Sequence, residues 1–260
     1  LRYLVAGWRD TVNEEQELHG YRAELPPARF NMAAYAIGHA AAELPSKPAL
    51  VVITDPLKPP AEVWTFAALE DAVLRIAAAL KAEGLEPGAR IMIRLENTST
   101  YALLFFGAIA AGYVPLPTSS QLTTGEAAFL LEDSGAAAVA VADGLPIASI
   151  PAGVRVLESA QVQAMAGHPD RATYADTAAD DPAYLIYTSG TTSRPKGVLH
   201  GHRAAWGRRP MYQGWYGINA ADRVLHAGAF NWTYTLGTGL TDPWANGATA
   251  IIYTGPKDPT

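Results

Sequence analysis

Between residues 49 and 142 the apolar positions switch repeatedly between a period of two and a helical period. Ala49 to Asp55 is a β-branched run that ends in the Pro-rich connection Pro56 to Pro60, the pattern of a buried strand. From Thr65 the residues Phe66, Leu69, Val73, Ile76, Ala77 and Leu80 recur at helical spacing, with Glu70, Asp71, Arg75 and Lys81 between them. Thr65 suits the N-cap of that helix and Gly84 its C-terminal stop. Arg90 to Leu95 alternates like a strand, and Asn97 to Ser99 can cap the helix that follows. Tyr101 to Pro117 is the most apolar stretch. It is interrupted by Gly107 and Gly112 and closed by Pro115 and Pro117, so it falls short of the roughly 20 residues of a membrane span and predicts a buried helix followed by the short strand Val114 to Leu116. Thr123 and Glu126 have the spacing of a capping box, and Ala136 to Ala142 returns as a strand.

Strand and helix alternating in this way predict an α/β fold of largely parallel sheets flanked by helices, in which ligands collect at the carboxyl ends of strands. The segment 167–181 breaks the pattern. It is polar, carries Pro169, Asp170, Asp176, Asp180 and Asp181, and reads as a linker between two lobes of about 30–166 and 182–260.

Composition narrows the function classes. With 49% apolar and 17% charged residues the chain can bury a large core, which excludes a disordered segment. No cysteine is present, so disulfides, thiolate metal sites and a cysteine nucleophile are excluded, and a cytoplasmic location is the default. The net charge of −6 argues against a nucleic-acid partner, which usually meets a basic face.

One segment departs from that acidic background. Thr188-Ser189-Gly190-Thr191-Thr192-Ser193-Arg194-Pro195-Lys196-Gly197 follows the predicted strand Tyr184 to Tyr187 and precedes the apolar pair Val198 and Leu199. Its hydroxyls, glycine-flanked amides and lysine form a donor set suited to an anion. Read by composition alone it is a solvated Ser/Thr/Gly loop. Charge placement favours the anion: from Pro182 to Ala221 there is no Asp or Glu, whereas 25 acids over 260 residues would place about four there. The same window holds Arg194, Lys196, Arg203, Arg208 and Arg209, a local positive field suited to a polyphosphate. The order is not that of the common P-loop, which sets a helix directly behind its lysine. Pro195 opposes a helix at Arg194, so the expectation is a loop between two strands.

Tyr187 to Gly197, Tyr-Thr-Ser-Gly-Thr-Thr-x-x-Pro-Lys-Gly, resembles the signature of the adenylate-forming superfamily, which contains acyl-CoA synthetases and peptide-synthetase adenylation domains. Ser193 is a departure, since the family usually has glycine there. Phe66 to Ala79, Leu104 to Pro117 and Gln121-Leu122-Thr123 are similar to further family segments, and Trp232 with Ala245-Asn246-Gly247-Ala248-Thr249 resembles the short- and medium-chain acyl-CoA synthetase branch. The resemblance implies that the chain is part of the large N-terminal domain of such an enzyme, incomplete, with the C-terminal domain absent and little activity expected of this piece alone. It implies ATP with Mg²⁺, the β- and γ-phosphates being held by Thr188, Ser189, Gly190, Thr191, Thr192 and the catalytic Lys196. Coenzyme A is the implied co-substrate and a small carboxylic acid, short-to-medium aliphatic or aromatic, the implied substrate, in line with a role in fatty acid metabolism. Asn231 and Trp232 are the implied acid-binding residues. The alternatives are an adenylating enzyme that loads a carrier protein and a non-catalytic nucleotide-binding module.

Other constellations carry less. Trp232 also reads as a core residue. His200 and His202 share a strand face, but no acidic or third histidine partner lies at ligand spacing nearby, so no metal site is expected. Ser189 lacks the G-x-S-x-G elbow of a hydrolase. Arg208 and Arg209 fit either a phosphate of coenzyme A or a solvated helix face.

Overall fold

The structure, a computed structural model, describes residues 24–188 and 194–256. Its chain begins with a π-helical turn, Ala34–Gly38, that runs into α1 (His39–Glu43), and continues through β1 (Pro48–Ile53), β2 (Glu62–Thr65), α2 (Phe66–Ala82), β3 (Arg90–Arg94) and α3 (Ser99–Ala110). Next come β4 (Val114–Pro117), α4 (Thr124–Ser134), β5 (Ala138–Val141), β6 (Arg155–Glu158) and α5 (Ser159–Met165). The remainder holds β7 (Pro182–Thr188), β8 (Lys196–Gly201), α6 (Arg203–Trp206), α7 (Arg209–Met211), β9 (Arg223–Leu225), α8 (Thr233–Leu236), α9 (Asp242–Ala245) and β10 (Thr249–Tyr253). The expected α/β class is the one observed. Among the described residues no helix is long and apolar enough to cross a membrane.

Local chemistry accounts for the central layer. Every apolar residue read on the helical period from Phe66 to Leu80 is buried in α2, the Thr65 hydroxyl accepts from the Ala68 N–H at 3.2 Å, and Gly84 ends the helix at φ +72°. Helix α3 is buried on all sides, and α2 crosses it at Gly107, where a Cβ would come within 2.5 Å of Ile76 Cγ2. The capping box at α4 is formed in both directions: Glu126 N–H donates to the Thr123 hydroxyl at 3.2 Å, and Thr123 N–H donates to the Glu126 carboxylate at 2.8 Å.

Among the described residues the strands form three sheets. One, in the order β4-β3-β5-β6, is parallel throughout. A second, β2-β1-β10-β9, is parallel except for the β1–β2 pair, and β7 and β8 form an antiparallel hairpin. The second sheet pairs Leu50 with Ala250 and Val52 with Ile252, so the supposed lobes 30–166 and 182–260 share a sheet. A division there does not describe how the strands associate, because β1 finds its parallel neighbour at the far end of the chain.

The segment 167–181 has no helix or extended strand, yet it does not hang between bodies. Ala172 N–H donates to Leu74 O at 3.0 Å, Ala175 N–H to Ala110 O at 2.7 Å, and Arg171 and Tyr174 both reach the Glu70 carboxylate. It is a strap bound along α2 and α3, and its polarity is that of a strap whose backbone groups are satisfied by neighbours.

Candidate active site

Strand β7 is packed on both faces, which explains its unbroken apolar run. Tyr184 and Ile186 enter the main core, while Leu185 and Tyr187 turn to a second core with Met92, Val114 and Leu116. The Tyr187 hydroxyl donates to the Asp133 carboxylate at 2.6 Å, fixing the end of β7 to α4. The hairpin register sets Thr188 directly opposite Lys196 and Tyr187 opposite Gly197, where a Cβ would lie 3.2 Å from Leu185 Cδ1. A hydroxyl residue and a lysine are therefore register partners at the mouth of the hairpin. Arg194 and Pro195 are outside any helix, as Pro195 requires, and the Arg194 guanidinium lies 6.0 Å from the centre of the Phe129 ring. Ser189, Gly190, Thr191 and Thr192, the other residues assigned to phosphate, lie outside the described residues, as does Ser193.

The positive field read from the acid-free window is smaller than its sequence count. Arg203 pairs with Asp180 at 2.8 Å, Arg208 with Asp242 at 2.6 Å, and Arg209 with Glu24 at 2.8 Å, so three of the five cations are matched by carboxylates from outside the window. Neither a coenzyme A contact nor a solvated face describes Arg208. Its Nε and Nη2 grip both oxygens of Asp242, whose side chain is fully buried, and Gly237 gives the guanidinium room, since a Cβ there would meet Arg208 Cζ at 2.2 Å. Burial pushes the Asp242 carboxyl up, and the Arg208 guanidinium opposes that rise. Lys196, by contrast, is exposed and makes no ion pair among the described residues. The hairpin mouth thus offers a Lys196 ammonium with no carboxylate paired to it among the described residues, a donor that fits the phosphates of a nucleotide.

The two histidines also part company, because the strand ends at Gly201. His200 stacks on Tyr184 at 4.6 Å and 8°, whereas His202 is buried and accepts from the Met32 N–H through Nδ1. Among the described residues no cluster of three or more His, Asp or Glu is arranged for a metal ion.

Asn231 and Trp232 sit on a different element, the turn that enters α8. Trp232 occupies the extended N-cap position and is 49% exposed, so it is not a core tryptophan. Tyr234 beside it is also exposed and meets the His226 ring edge-on at 5.3 Å. Asn231 Oδ1 is buried and has no hydrogen-bond partner among the described residues. Among the described residues no hydrogen bond, ion pair or ring contact joins Thr188 or Lys196 to Asn231 or Trp232, so the residues assigned to phosphate and those assigned to the acid form two groups on separate elements, the β7–β8 hairpin and the turn before α8. A cavity of about 310 Å³ between β2, α2, α3 and α5, lined by Trp64, Ile76, Ser99 and Leu103, shares no residue with either group.

Comparison with known proteins bears on both groups. The AMP-binding enzyme family profile matches residues 37–260. The 4-hydroxybenzoate–CoA/benzoate–CoA ligase of Rhodopseudomonas palustris is 34% identical over 223 residues, 77% of this chain and 40% of that ligase. Benzoate–CoA ligase of Thauera aromatica is 32% identical over 203 residues, 73% of this chain and 38% of that ligase. Among solved structures, a benzoate CoA ligase from Burkholderia xenovorans LB400 superposes with a TM-score of 0.76 at 29% identity, covering 86% of this chain and 45% of its own. The chain spans about two fifths of the curated relatives it matches.

Proposed function

The chain belongs to the AMP-binding enzyme family, and from that membership we propose that it forms the phosphate-binding part of an ATP-dependent acid:CoA ligase. In this reading a small carboxylic acid is activated as an acyl-adenylate and then passed to the thiol of coenzyme A. The observation that carries it is the hairpin mouth, where Thr188 is the register partner of exposed Lys196, which has no ion-pair partner among the described residues, at the end of a doubly packed strand. Thr188, Ser189, Gly190, Thr191, Thr192 and Lys196 hold the β- and γ-phosphates. Mg²⁺ enters with the nucleotide, whose phosphates supply oxygen ligands that the described side chains do not cluster to provide. The relatives named for benzoate and hydroxybenzoate move the preferred acid from the fatty to the aromatic class. Exposed Trp232 and Tyr234, with Asn231 directly before Trp232 in sequence, supply the wall for such a ring.

A residue that anchors leaving pyrophosphate acts in the first half-reaction alone. Lys196→Ala in the full-length protein is expected to slow acid-dependent ATP–pyrophosphate exchange by on the order of a hundred- to thousandfold, the loss of about 3–4 kcal/mol typical of one electrostatic donor. Thioester formation from supplied benzoyl-adenylate is expected to continue at close to the wild-type rate. An equal loss in both half-reactions, or no loss in the first, would remove Lys196 from this role.

A further inference from the structure

The turn between β3 and α3 was expected to cap α3, and it does something else. Thr98 takes the N-cap position without any side-chain bond to the helix. The Asn97 carboxamide reaches instead across more than a hundred residues of sequence to the turn before α8. Its Nδ2 donates to Gly228 O at 3.1 Å, and its Oδ1 accepts from the Phe230 N–H at 3.1 Å. One planar amide bonded to a carbonyl and to an N–H two residues apart fixes both the position and the orientation of that backbone, as a single bond would not.

The surroundings hold the turn at other points as well. Phe230 is buried against Tyr101 of α3, with ring centroids 5.5 Å apart, so the same helix holds the turn from below. Gly228 admits no larger residue, since a Cβ would lie 2.4 Å from Thr235 Oγ1, and its N–H already donates to His226 Nδ1 at 3.1 Å. Beyond Phe230, Trp232 enters α8 with no side-chain cap, and its N–H meets Ala229 O at only 3.4 Å. What the clamp presents to solvent is therefore the stretch that bears Asn231 and the exposed rings of Trp232 and Tyr234.

From this arrangement we infer that Asn97 is a positioning residue for the acid-binding wall: it sets the Gly228–Phe230 backbone and through it Asn231 and Trp232, without touching the substrate. The inference rests on the acid:CoA ligase reading above. Its consequence is selective, because among the described residues no hydrogen bond, ion pair or ring contact joins Thr188 or Lys196 of the phosphate hairpin to Gly228, Ala229 or Phe230.

The test uses the full-length protein, with benzoate as the acid, and two variants. Asn97→Ala removes both bonds; Asn97→Asp keeps the volume and the acceptor for Phe230 but turns a carboxylate oxygen toward Gly228 O, so at least one variant retains the packing of the site. The expected result is a KM for benzoate raised about tenfold in both, a KM for ATP within about twofold of wild type, and faster hydrogen exchange of the Phe230 amide. An unchanged KM for benzoate in both variants overturns the positioning role, even if Phe230 exchanges faster. Equal rises in the two KM values with a lowered Tm overturn it in favour of a folding role. Failure of the ligase reading is seen separately, in the wild type, as no exchange with benzoate or a hydroxybenzoate; the positioning role then falls with it.

Discussion

His202 shows how much one buried side chain can add to the pH dependence of this fold. Its ring is fully buried, Nδ1 accepts from the Met32 N–H at 3.0 Å, and the neutral ring must then carry its proton on Nε2, which has no partner among the described residues. Burial pushes its pKa down from 6.5 to about 4, and the nearby Asp181 opposes this only in part. A base with a depressed folded-state pKa favours the folded state while it is neutral, so its contribution is complete above about pH 6.5 and is lost as pH falls toward 4. Between pH 7 and pH 5 the loss from this one residue is about 2 kcal/mol, to which His200, also depressed by burial, adds in the same direction. Asn at position 202 can offer Oδ1 to Met32 without titrating. Urea unfolding at the two pH values is expected to show a drop smaller by about 2 kcal/mol in His202→Asn than in wild type. Equal drops would show that His202 does not titrate in this range. The sequence did not reveal this role, because an i, i+2 pair shares a face only while the strand lasts, and the strand stops between the two histidines.

At the scale of the element, the crossing of α2 and α3 sets two familiar effects against each other. Alanine is the better helix former, so Gly107→Ala within α3 would gain about 1 kcal/mol on propensity alone. The new methyl would meet Ile76 Cγ2 at 2.5 Å, Ile76 Cβ at 2.9 Å and Val73 O at 3.3 Å, and all of these belong to a buried helix. Overpacking of a tight core costs about 1–3 kcal/mol, and here one obstacle is backbone that cannot rotate away. The variant is therefore expected to be destabilised by up to about 2 kcal/mol in denaturant unfolding, whereas a gain would mean that the helices separate at low cost. Elements of this kind were legible in advance: α2, its cap at Thr65, its stop at Gly84 and the Thr123 box all arise from interactions within a few residues. The uncapped start of α3 was not, because Asn97 has the right type and place for a cap and is drawn away by backbone groups more than 130 residues distant in sequence.

For the molecule as a whole, the question is whether residues 30–166 and 182–260 unfold together. The main core runs without a break from Phe30 to Ile252, and it is tied across the sequence by polar contacts as well as by the β1–β10 pairing. Trp244 donates its indole N–H to Ala49 O at 2.8 Å, Thr249 donates its hydroxyl to Pro48 O at 2.7 Å, and the Lys47 ammonium donates to Gly247 O. A polar interval such as 167–181 could not disclose this, since strand pairing between the ends of a chain leaves no local mark and several Val/Ile runs are equally suited to lie beside β1. Shared sheet and shared core make one cooperative unit, and a lesion in one part must then loosen the other. Ile252→Ala, in buried β10, is expected to cost about 2–4 kcal/mol through lost contacts and the cavity left behind. The slowest-exchanging amides of α3, which open only when the whole unit unfolds, should then lose protection by roughly thirty- to a thousandfold, at a factor of ten per 1.4 kcal/mol. If α3 keeps its full protection while β10 exchanges faster, the two parts unfold independently and the sheet between them is a contact surface of two domains.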